Sequence, residues 1–127
     1  MQVCGIGNQG AAYRNHRHSI GLILVEALRS RLCYSGWEKD NKCSGYWSNV
    51  NGPCVLFKSN IWMNYSGRSV SKAYNKVGGE AWGKLCVIYD DLELPVGKTK
   101  LRTKGLGKYV KLSYLADIGD TMGYVEL

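Results

Sequence analysis

The chain has 127 residues, 45% hydrophobic and 21% charged, so it is long enough for one folded domain and too apolar for intrinsic disorder. Seventeen Lys and Arg against ten Asp and Glu leave a formal charge of +7, which favours a polyanionic partner, nucleic acid before membrane. No apolar run reaches the length of a membrane span, and the five cysteines include no Cys-x-x-Cys pair. A membrane protein, a metal site and a disulfide framework are therefore disfavoured.

The first part of the chain predicts a strand, a polar loop and a helix. Residues 3–6 have the character of a short buried strand, and residues 7–18 form a loop rich in Gly, Asn, Arg and His. A helix is expected over residues 19–32, with Ser19 as its N-cap. The residues expected to face the core recur at helical spacing: Ile20, Ile23, Leu24, Ala27, Leu28 and Leu32.

The middle of the chain predicts a hairpin and a second helix. Residues 43–50 and 53–59 have the composition of strands, and the Asn51-Gly52 pair between them is a strong hairpin signal. A short helix follows over residues 66–76, with Ser66 as its cap and two glycines at its end.

Two further strands complete the predicted fold. Residues 85–89 form an apolar run typical of a central strand, and residues 98–102 alternate basic residues with smaller or apolar ones like a half-exposed strand. The order of elements predicts one α/β domain over residues 1–127, in which helices flank a twisted mixed sheet. Residues 98–111 hold six basic residues and no acidic one, so positive charge is concentrated here.

Residues 5–10 fit the pattern G-x-G-x-x-G after a strand, which can indicate a dinucleotide-binding turn. In that motif the helix opens within the glycines, so that its N-terminus meets a pyrophosphate. Here eight residues separate Gly10 from the cap at Ser19, and the nearest acidic residue, Glu26, lies in the middle of the helix. A nucleotide-binding oxidoreductase is therefore a weak alternative.

Three polar residues stand where chemistry could take place. His18 precedes the predicted helix start, and a neutral imidazole there can act as a general base near neutral pH. Asn64 lies between a strand and a helix and can bind an oxyanion or position a substrate. Asp90 follows the most buried strand and is placed to orient a histidine. Each also has an ordinary explanation: an exposed loop histidine, an Asx turn and a solvated turn carboxylate.

Four segments together resemble the bacterial-type peptidyl-tRNA hydrolase family, which cleaves the ester between a stalled peptide and its tRNA. Residues 5–13, GIGNQGAAY, are similar to the family's G-L-G-N-P-G-x-x-Y, and residues 17–21, RHSIG, to its T-R-H-N-x-G signature. Residues 63–67, MNYSG, are similar to M-N-L-S-G, and residues 90–97, DDLELPVG, to D-E-L-D-L-P-x-G. The four motifs occur in the family's order with about the same gaps, which makes the match specific.

The resemblance implies a carboxylic ester hydrolase that uses water directly, with no protein nucleophile, metal or organic cofactor. His18 would be the general base, and Asp90 would orient its ring. Met63 and Asn64 would flank the reacting ester, with Asn64 supporting the oxyanion or the attacking water. Asn8 would position the substrate or the histidine.

The resemblance also implies how the substrate is held. Tyr13 and Met63 would contact the substrate, and Lys100, with Arg102 two residues later, matches a basic position that clamps tRNA phosphate. The expected partner is peptidyl-tRNA, with no membrane contact, and the protein is expected to be a monomer. The expected compartment is the cytoplasm, with the mitochondrion as the alternative.

The chain departs from the family pattern in its last part. The family has a G-H-N-G-L segment after its basic strand, whereas residues 105–112 here are GLGKYVKL, and no His or Asn follows Asn75. The family also continues into a further core strand and a C-terminal helix. We therefore expect residues 105–127 to diverge and the chain to lack that strand and helix, with residues 123–127 only leading toward the strand. The alternative function is a catalytically impaired relative that binds tRNA or other RNA.

Overall fold

A mixed seven-stranded sheet forms the centre of the computed structural model, which describes residues 1–81, 83–91, 94–95, 97–102 and 122–126. Across the described strands the order is β2-β3-β4-β1-β5-β7-β6. The four central strands β4, β1, β5 and β7 run parallel, and the pairs β2/β3, β3/β4 and β6/β7 are antiparallel. The strands are β1 (Gln2–Gly5), β2 (Glu38–Asp40), β3 (Gly45–Ser48), β4 (Val55–Ser59), β5 (Leu85–Tyr89), β6 (Lys100–Arg102) and β7 (Met122–Glu126).

Two α-helices cover opposite faces of this sheet. Helix α1 (Ile20–Arg31) packs Val25 against Val3 and Leu56, whereas helix α2 (Ser66–Lys76) belongs to the cluster that contains Cys4. Successive residues of a strand point to opposite faces, so the neighbours Val3 and Cys4 belong to separate cores. The predicted α/β architecture, a mixed sheet flanked by helices, is confirmed.

The predicted core face of α1 is wrong in part. Gly21 and Val25 are the buried residues of the helix, while Ile23 and Leu32 are each 41% exposed. A Cβ at Gly21 would overlap the backbone carbonyl oxygens of Ile6 and Ile88. The helix therefore meets the sheet through glycine backbone, and this close approach rotates the apolar residues away from the face that their spacing predicts.

The remaining strands agree with the predictions in type and differ in extent. The predicted strand over residues 85–89 has the same bounds as β5, and the hairpin forms from β3 and β4. Its loop is wider than the Asn51-Gly52 pair, because Asn49 takes a positive φ of 57° and its carbonyl accepts the Gly52 N–H. Strand β2 is not predicted, since its three residues are polar and mostly exposed.

A further strand, β7, lies between β5 and β6. The sequence predicts only that residues 123–127 lead toward a core strand, whereas Met122–Glu126 pairs along the whole of β5. Tyr124 and Val125 are strand-forming residue types, which gives this segment its propensity. Residues 103–121, which include most of the basic stretch and the predicted divergence, lie outside the described residues. None of the described helices has the length and apolar character needed to cross a bilayer.

Candidate active site

The candidate site lies where three parallel strands end. The loop over residues 6–18 follows β1, the turn over residues 60–65 follows β4, and Asp90 follows β5. These strands are adjacent and parallel, so their carboxyl ends meet at one edge of the sheet. This edge is where ligand sites form in open α/β sheets.

His18 and Asp90 form a hydrogen-bonded pair at this edge. His18 Nδ1 is 2.7 Å from Asp90 Oδ2. The Asp90 side chain is 2% exposed and that of His18 is 44% exposed. Since a carboxylate can only accept, Nδ1 carries the hydrogen and Nε2 is left as the basic nitrogen. The pair thus has a buried orienting acid and a ring that solvent can reach.

Backbone hydrogen bonds hold the segments that carry His18 and Asp90 in place. Asp90 directly follows β5, which is anchored beside the first loop because the Ile6 N–H donates to the Ile88 carbonyl at 3.2 Å. His18 lies in a 3-10 turn, Arg17–Ser19, immediately before α1. The Asn8 N–H donates to the His18 carbonyl at 3.0 Å and fixes this turn against the end of β1.

Asn8 connects His18 to the second loop of the site. Its side-chain oxygen accepts a hydrogen bond from the Met63 N–H at 3.1 Å. Its backbone carbonyl accepts one from the Ser19 hydroxyl at 3.0 Å. Asn8 therefore sets the distance between the histidine turn and the Met63 turn, and its side-chain amide NH₂ keeps its hydrogens for another partner.

Asn64 is presented to solvent by a short 3-10 turn, Met63–Tyr65. Met63 is buried, and its carbonyl accepts the Ser66 hydroxyl at 2.6 Å, which joins the turn to α2. Within the described part of the chain the Asn64 side chain makes no hydrogen bond, so it does not close an Asx turn. Asn64 is exposed and directly follows Met63, whose N–H donates to the Asn8 side chain.

Ser19 occupies the N-cap position of α1 without acting as a side-chain cap. Its hydroxyl instead lies within bonding distance of two carbonyl oxygens, that of Asn8 at 3.0 Å and that of Tyr13 at 2.6 Å. The predicted capping role is therefore wrong. The loop over residues 8–13 folds back over the start of α1, and the Ser19 hydroxyl bonds to carbonyls of this loop instead of capping the helix. Ser19 ties both carbonyls next to the histidine, a role that no sequence spacing indicates.

Tyr13 belongs to an aromatic group at the rim of the site. Its ring lies 5.5 Å from that of His16 and 5.6 Å from that of Trp62, edge to face in both cases. Trp62 directly precedes Met63. The contact between Tyr13 and Trp62 is therefore a second link between the loop after β1 and the Met63–Tyr65 turn, in addition to the bond between Asn8 and Met63. The sequence singled out Tyr13 through the family motif alone and gave no signal for its contact with Trp62.

Lys100 and Arg102 are placed at a distance from the His18–Asp90 pair. Both lie in the edge strand β6, and β7 separates β6 from β5. Two strand spacings correspond to about 10 Å, so Lys100, which is exposed, lies along the sheet from the strand that ends at Asp90. The structure brings together His18, Asp90, Asn8 and Met63, and places Lys100 and Arg102 to one side.

Gly5 and Gly7 are required for packing. A Cβ at Gly5 would overlap the backbone of Gly21, and one at Gly7 would overlap the His18 carbonyl. The first turn of the loop is therefore filled by the start of α1, at the position that a pyrophosphate takes in a dinucleotide-binding motif. The dinucleotide interpretation of residues 5–10 is wrong for this reason.

Burial disfavours the reactive thiolate form at four of the five cysteines, whereas Cys33 is exposed. It raises the pKa of the Cys4 thiol well above its usual value, and it also raises the pKa of the thiols of Cys43, Cys54 and Cys86. A protonated thiol is a poor nucleophile and a poor metal ligand. No group of three or more His, Cys, Asp or Glu side chains suited to a metal ion occurs among the described residues.

Comparisons with known proteins agree on one family. The sequence model of the family described as Peptidyl-tRNA hydrolase matches residues 2–123. A peptidyl-tRNA hydrolase of Rhizobium rhizogenes is 38% identical over 106 residues, which are 83% of this chain and 44% of that protein. One of Halalkalibacterium halodurans is 40% identical over 106 residues, 81% of this chain and 56% of that protein.

A solved structure shows the same fold. The crystal structure of peptidyl-tRNA hydrolase from Acinetobacter baumannii superposes with a TM-score of 0.82 at 26% sequence identity. The match covers 98% of this chain and 65% of that one. The chain therefore spans about half the length of the curated relatives it matches and about two thirds of the crystallised one.

Proposed function

The chain belongs to the peptidyl-tRNA hydrolase family, and from this premise we propose that it hydrolyses the ester between tRNA and a peptide or N-blocked aminoacyl group. The observation that carries the proposal is the 2.7 Å pair between His18 and the buried Asp90. A histidine oriented in this way by a carboxylate is the arrangement that general-base hydrolysis requires.

The first step is the attack of water on the ester carbonyl. His18 Nε2 takes one proton from the water, while its oxygen forms a bond to the carbonyl carbon and the carbonyl oxygen becomes an oxyanion. Asp90 stabilises the imidazolium that results, because its carboxylate accepts the Nδ1 hydrogen across 2.7 Å. The buried position of Asp90 keeps this charge pair away from water on one side.

The second step is the collapse of the tetrahedral intermediate. The bond between the carbonyl carbon and the ribose oxygen breaks, and the imidazolium returns its proton to that oxygen. The products are a free carboxylic acid and tRNA with its terminal hydroxyl restored. His18 ends the cycle neutral.

Asn64 and Asn8 support these steps in different ways. The exposed amide of Asn64 can donate hydrogen bonds to the oxyanion or accept one from the attacking water. Asn8 holds the His18 turn and the Met63 turn at a fixed separation through its two hydrogen bonds. Base and amide donor are thereby held on one frame, which lowers the cost of orienting the reactants.

The positive charge of the chain supports the proposal that its substrate contains tRNA. The formal charge is +7, and the edge strand β6, two strands along the sheet from β5, contains the exposed Lys100 and also Arg102. Phosphate contacts of this kind position a nucleic acid without reading its sequence. A protein with this activity would act in whichever compartment holds peptidyl-tRNA, the cytoplasm or the mitochondrion.

Release of free tRNA from N-blocked aminoacyl-tRNA tests the proposal. Wild-type protein should release tRNA, His18→Ala should abolish release, and His16→Ala should leave it nearly unchanged. His16 is a matched control, since it lies two residues away, is exposed, and packs its ring against Tyr13 at 5.5 Å, whereas His18 is the partner of Asp90. Salt-dependent tRNA binding by a folded wild-type protein that releases nothing would instead support the impaired RNA-binding relative.

A further inference from the structure

Gln9 is a residue at which the loop after β1 departs from the family's motif. The motif G-L-G-N-P-G has proline at this place, whereas the chain has glutamine. A proline fixes its own φ and has no backbone N–H, so it stiffens a loop without needing a partner. The Gln9 N–H makes no hydrogen bond within the described part of the chain. A loop with glutamine here lacks the restraint of a proline ring and needs another contact to hold it.

The side chain of Gln9 supplies such a contact. Its Nε2 donates a hydrogen bond to the backbone carbonyl of Ser59, 50 positions further along the chain. Ser59 is the last residue of β4 and is fully buried. The preceding residue, Asn8, accepts the Met63 N–H through its side chain. Two consecutive side chains of the first loop therefore bond to the segment that runs from the end of β4 into the Met63–Tyr65 turn.

These two hydrogen bonds have to open together when the loop moves. Asn8 and Gln9 are adjacent in the chain, so the loop leaves Met63 only if Gln9 also leaves Ser59. Ser59 belongs to the sheet and cannot follow the loop, whereas Met63 lies in a turn. The Gln9 bond therefore anchors the loop to a fixed point and protects the neighbouring bond between Asn8 and Met63.

The separation of His18 and Asn64 depends on these anchors. The Asn8 N–H donates to the His18 carbonyl at 3.0 Å, and Asn64 directly follows Met63. We propose that Gln9 is a positioning residue, which keeps His18 and Asn64 at the separation that hydrolysis requires without bonding to either of them. The proposal rests on the proposed function, because hydrolysis is what uses that separation. The orientation of reacting groups affects kcat, so the loss of the Gln9 bond should lower kcat and leave KM nearly unchanged.

Two substitutions at Gln9 test this role. Gln9→Met keeps the length of the side chain and removes its donor, so kcat for tRNA release should fall about 10-fold, with KM changed less than about twofold. Exchange of the Met63 N–H with solvent deuterium, followed by NMR, should become about 2- to 10-fold faster, because one hydrogen bond shifts an opening equilibrium by that factor. Gln9→Pro replaces the bond with a fixed φ and should return both quantities to within about threefold of the wild type.

Two controls separate positioning from general stability. Ser59→Ala keeps the carbonyl that accepts the Gln9 bond and removes a hydroxyl that has no hydrogen-bond partner in the described part of the chain, so it should match the wild type. Ser48→Ala removes a bond of the same kind elsewhere, from the Ser48 hydroxyl in β3 to the Ser35 carbonyl at 2.8 Å. It should lower the midpoint of urea unfolding while kcat and the exchange of the Met63 N–H stay as in the wild type.

The proposal is overturned if folded Gln9→Met keeps the wild-type exchange rate at Met63 or keeps the wild-type kcat. It is also overturned if Ser48→Ala loses as much kcat as Gln9→Met, or if Gln9→Pro restores neither quantity. A wild-type protein that releases no tRNA contradicts the proposed activity instead. In that case the exchange rates still decide whether Gln9 restrains the loop, since they do not depend on hydrolysis: faster exchange in Gln9→Met than in Gln9→Pro supports the restraint, and equal rates contradict it.

Discussion

The backbone N–H of Met63 donates a 3.1 Å hydrogen bond to the side-chain oxygen of Asn8, although the two residues are 55 positions apart. The bond crosses from the loop after β1 to the turn after β4, and these two strands are neighbours in the sheet. The Asn8 N–H also donates to the His18 carbonyl. Asn8 therefore fixes the Met63–Tyr65 turn, which carries Asn64, relative to the proposed base His18.

Replacement of Asn8 separates its structural role from its proposed role in positioning the substrate. Asn8→Ala leaves the part-buried Met63 N–H without an acceptor and should lower the free energy of unfolding by about 1 kcal/mol. Asn8→Asp keeps the acceptor oxygen and should keep most of that stability, but it loses the amide hydrogens. Urea unfolding and tRNA release measure both effects. Equal stability of the two variants would show that the bond to Met63 contributes nothing.

Asp90→Asn should reduce kcat by about 10²- to 10⁴-fold with little change in KM. Asparagine is almost isosteric but cannot stabilise the imidazolium, and it can hold the wrong tautomer of His18. Because the side chain is 2% exposed and lies behind His18, it should not contact substrate. Steady-state release of tRNA measures the two constants. A loss smaller than tenfold in a folded variant would remove Asp90 from the mechanism.

Asp40 should make the free energy of unfolding depend on pH in the acidic range. The hydrogen bond from the Lys76 ammonium, followed by those from Trp47 and the Cys43 N–H, holds the pKa of Asp40 well below its usual range. Folded protein therefore keeps this carboxylate charged at pH values where the unfolded chain protonates it. The stabilisation is fully present above about pH 4 and is lost progressively as the pH falls below that value.

Urea unfolding of Asp40→Asn at pH 7 and pH 3 tests this dependence. The variant should be less stable than the wild type by roughly 1–3 kcal/mol at pH 7, and the difference should shrink at pH 3. Glu38→Gln, an exposed carboxylate of the same strand, is the control and should change stability by less than about 0.5 kcal/mol. A difference between wild type and Asp40→Asn that stays constant with pH would contradict the assignment.

Gly21→Ala should be strongly destabilising, because its Cβ would overlap the carbonyl oxygens of Ile6 and Ile88. Helix and sheet would have to separate, and a loss of at least ~2 kcal/mol is expected. Gly36→Ala is a matched control, since a Cβ there has no neighbour within 4 Å and should cost less than about 0.5 kcal/mol. Similar thermal unfolding of the two variants would show that α1 does not depend on this contact.

The sequence predicts those parts of the site that depend on strand ends and recognisable motifs. His18 and Asp90 lie in two such segments, and the rule that ligand sites form at the carboxyl ends of strands places Asp90 there. The bond between Asn8 and Met63 could not be predicted, since it depends on the register of β1 against β4. The face of α1 was mispredicted because backbone contact at Gly21 outweighs the spacing of apolar side chains.

The position of β7 has a consequence for the order of assembly. The basic strand β6 pairs with β7 and has no other partner among the described strands, although β7 follows it by about 20 residues in the chain. During synthesis, Lys100 and Arg102 emerge before the strand that joins them to the sheet. Strand β6 is therefore expected to dock last, after His18 has paired with Asp90 and Asn8 with Met63.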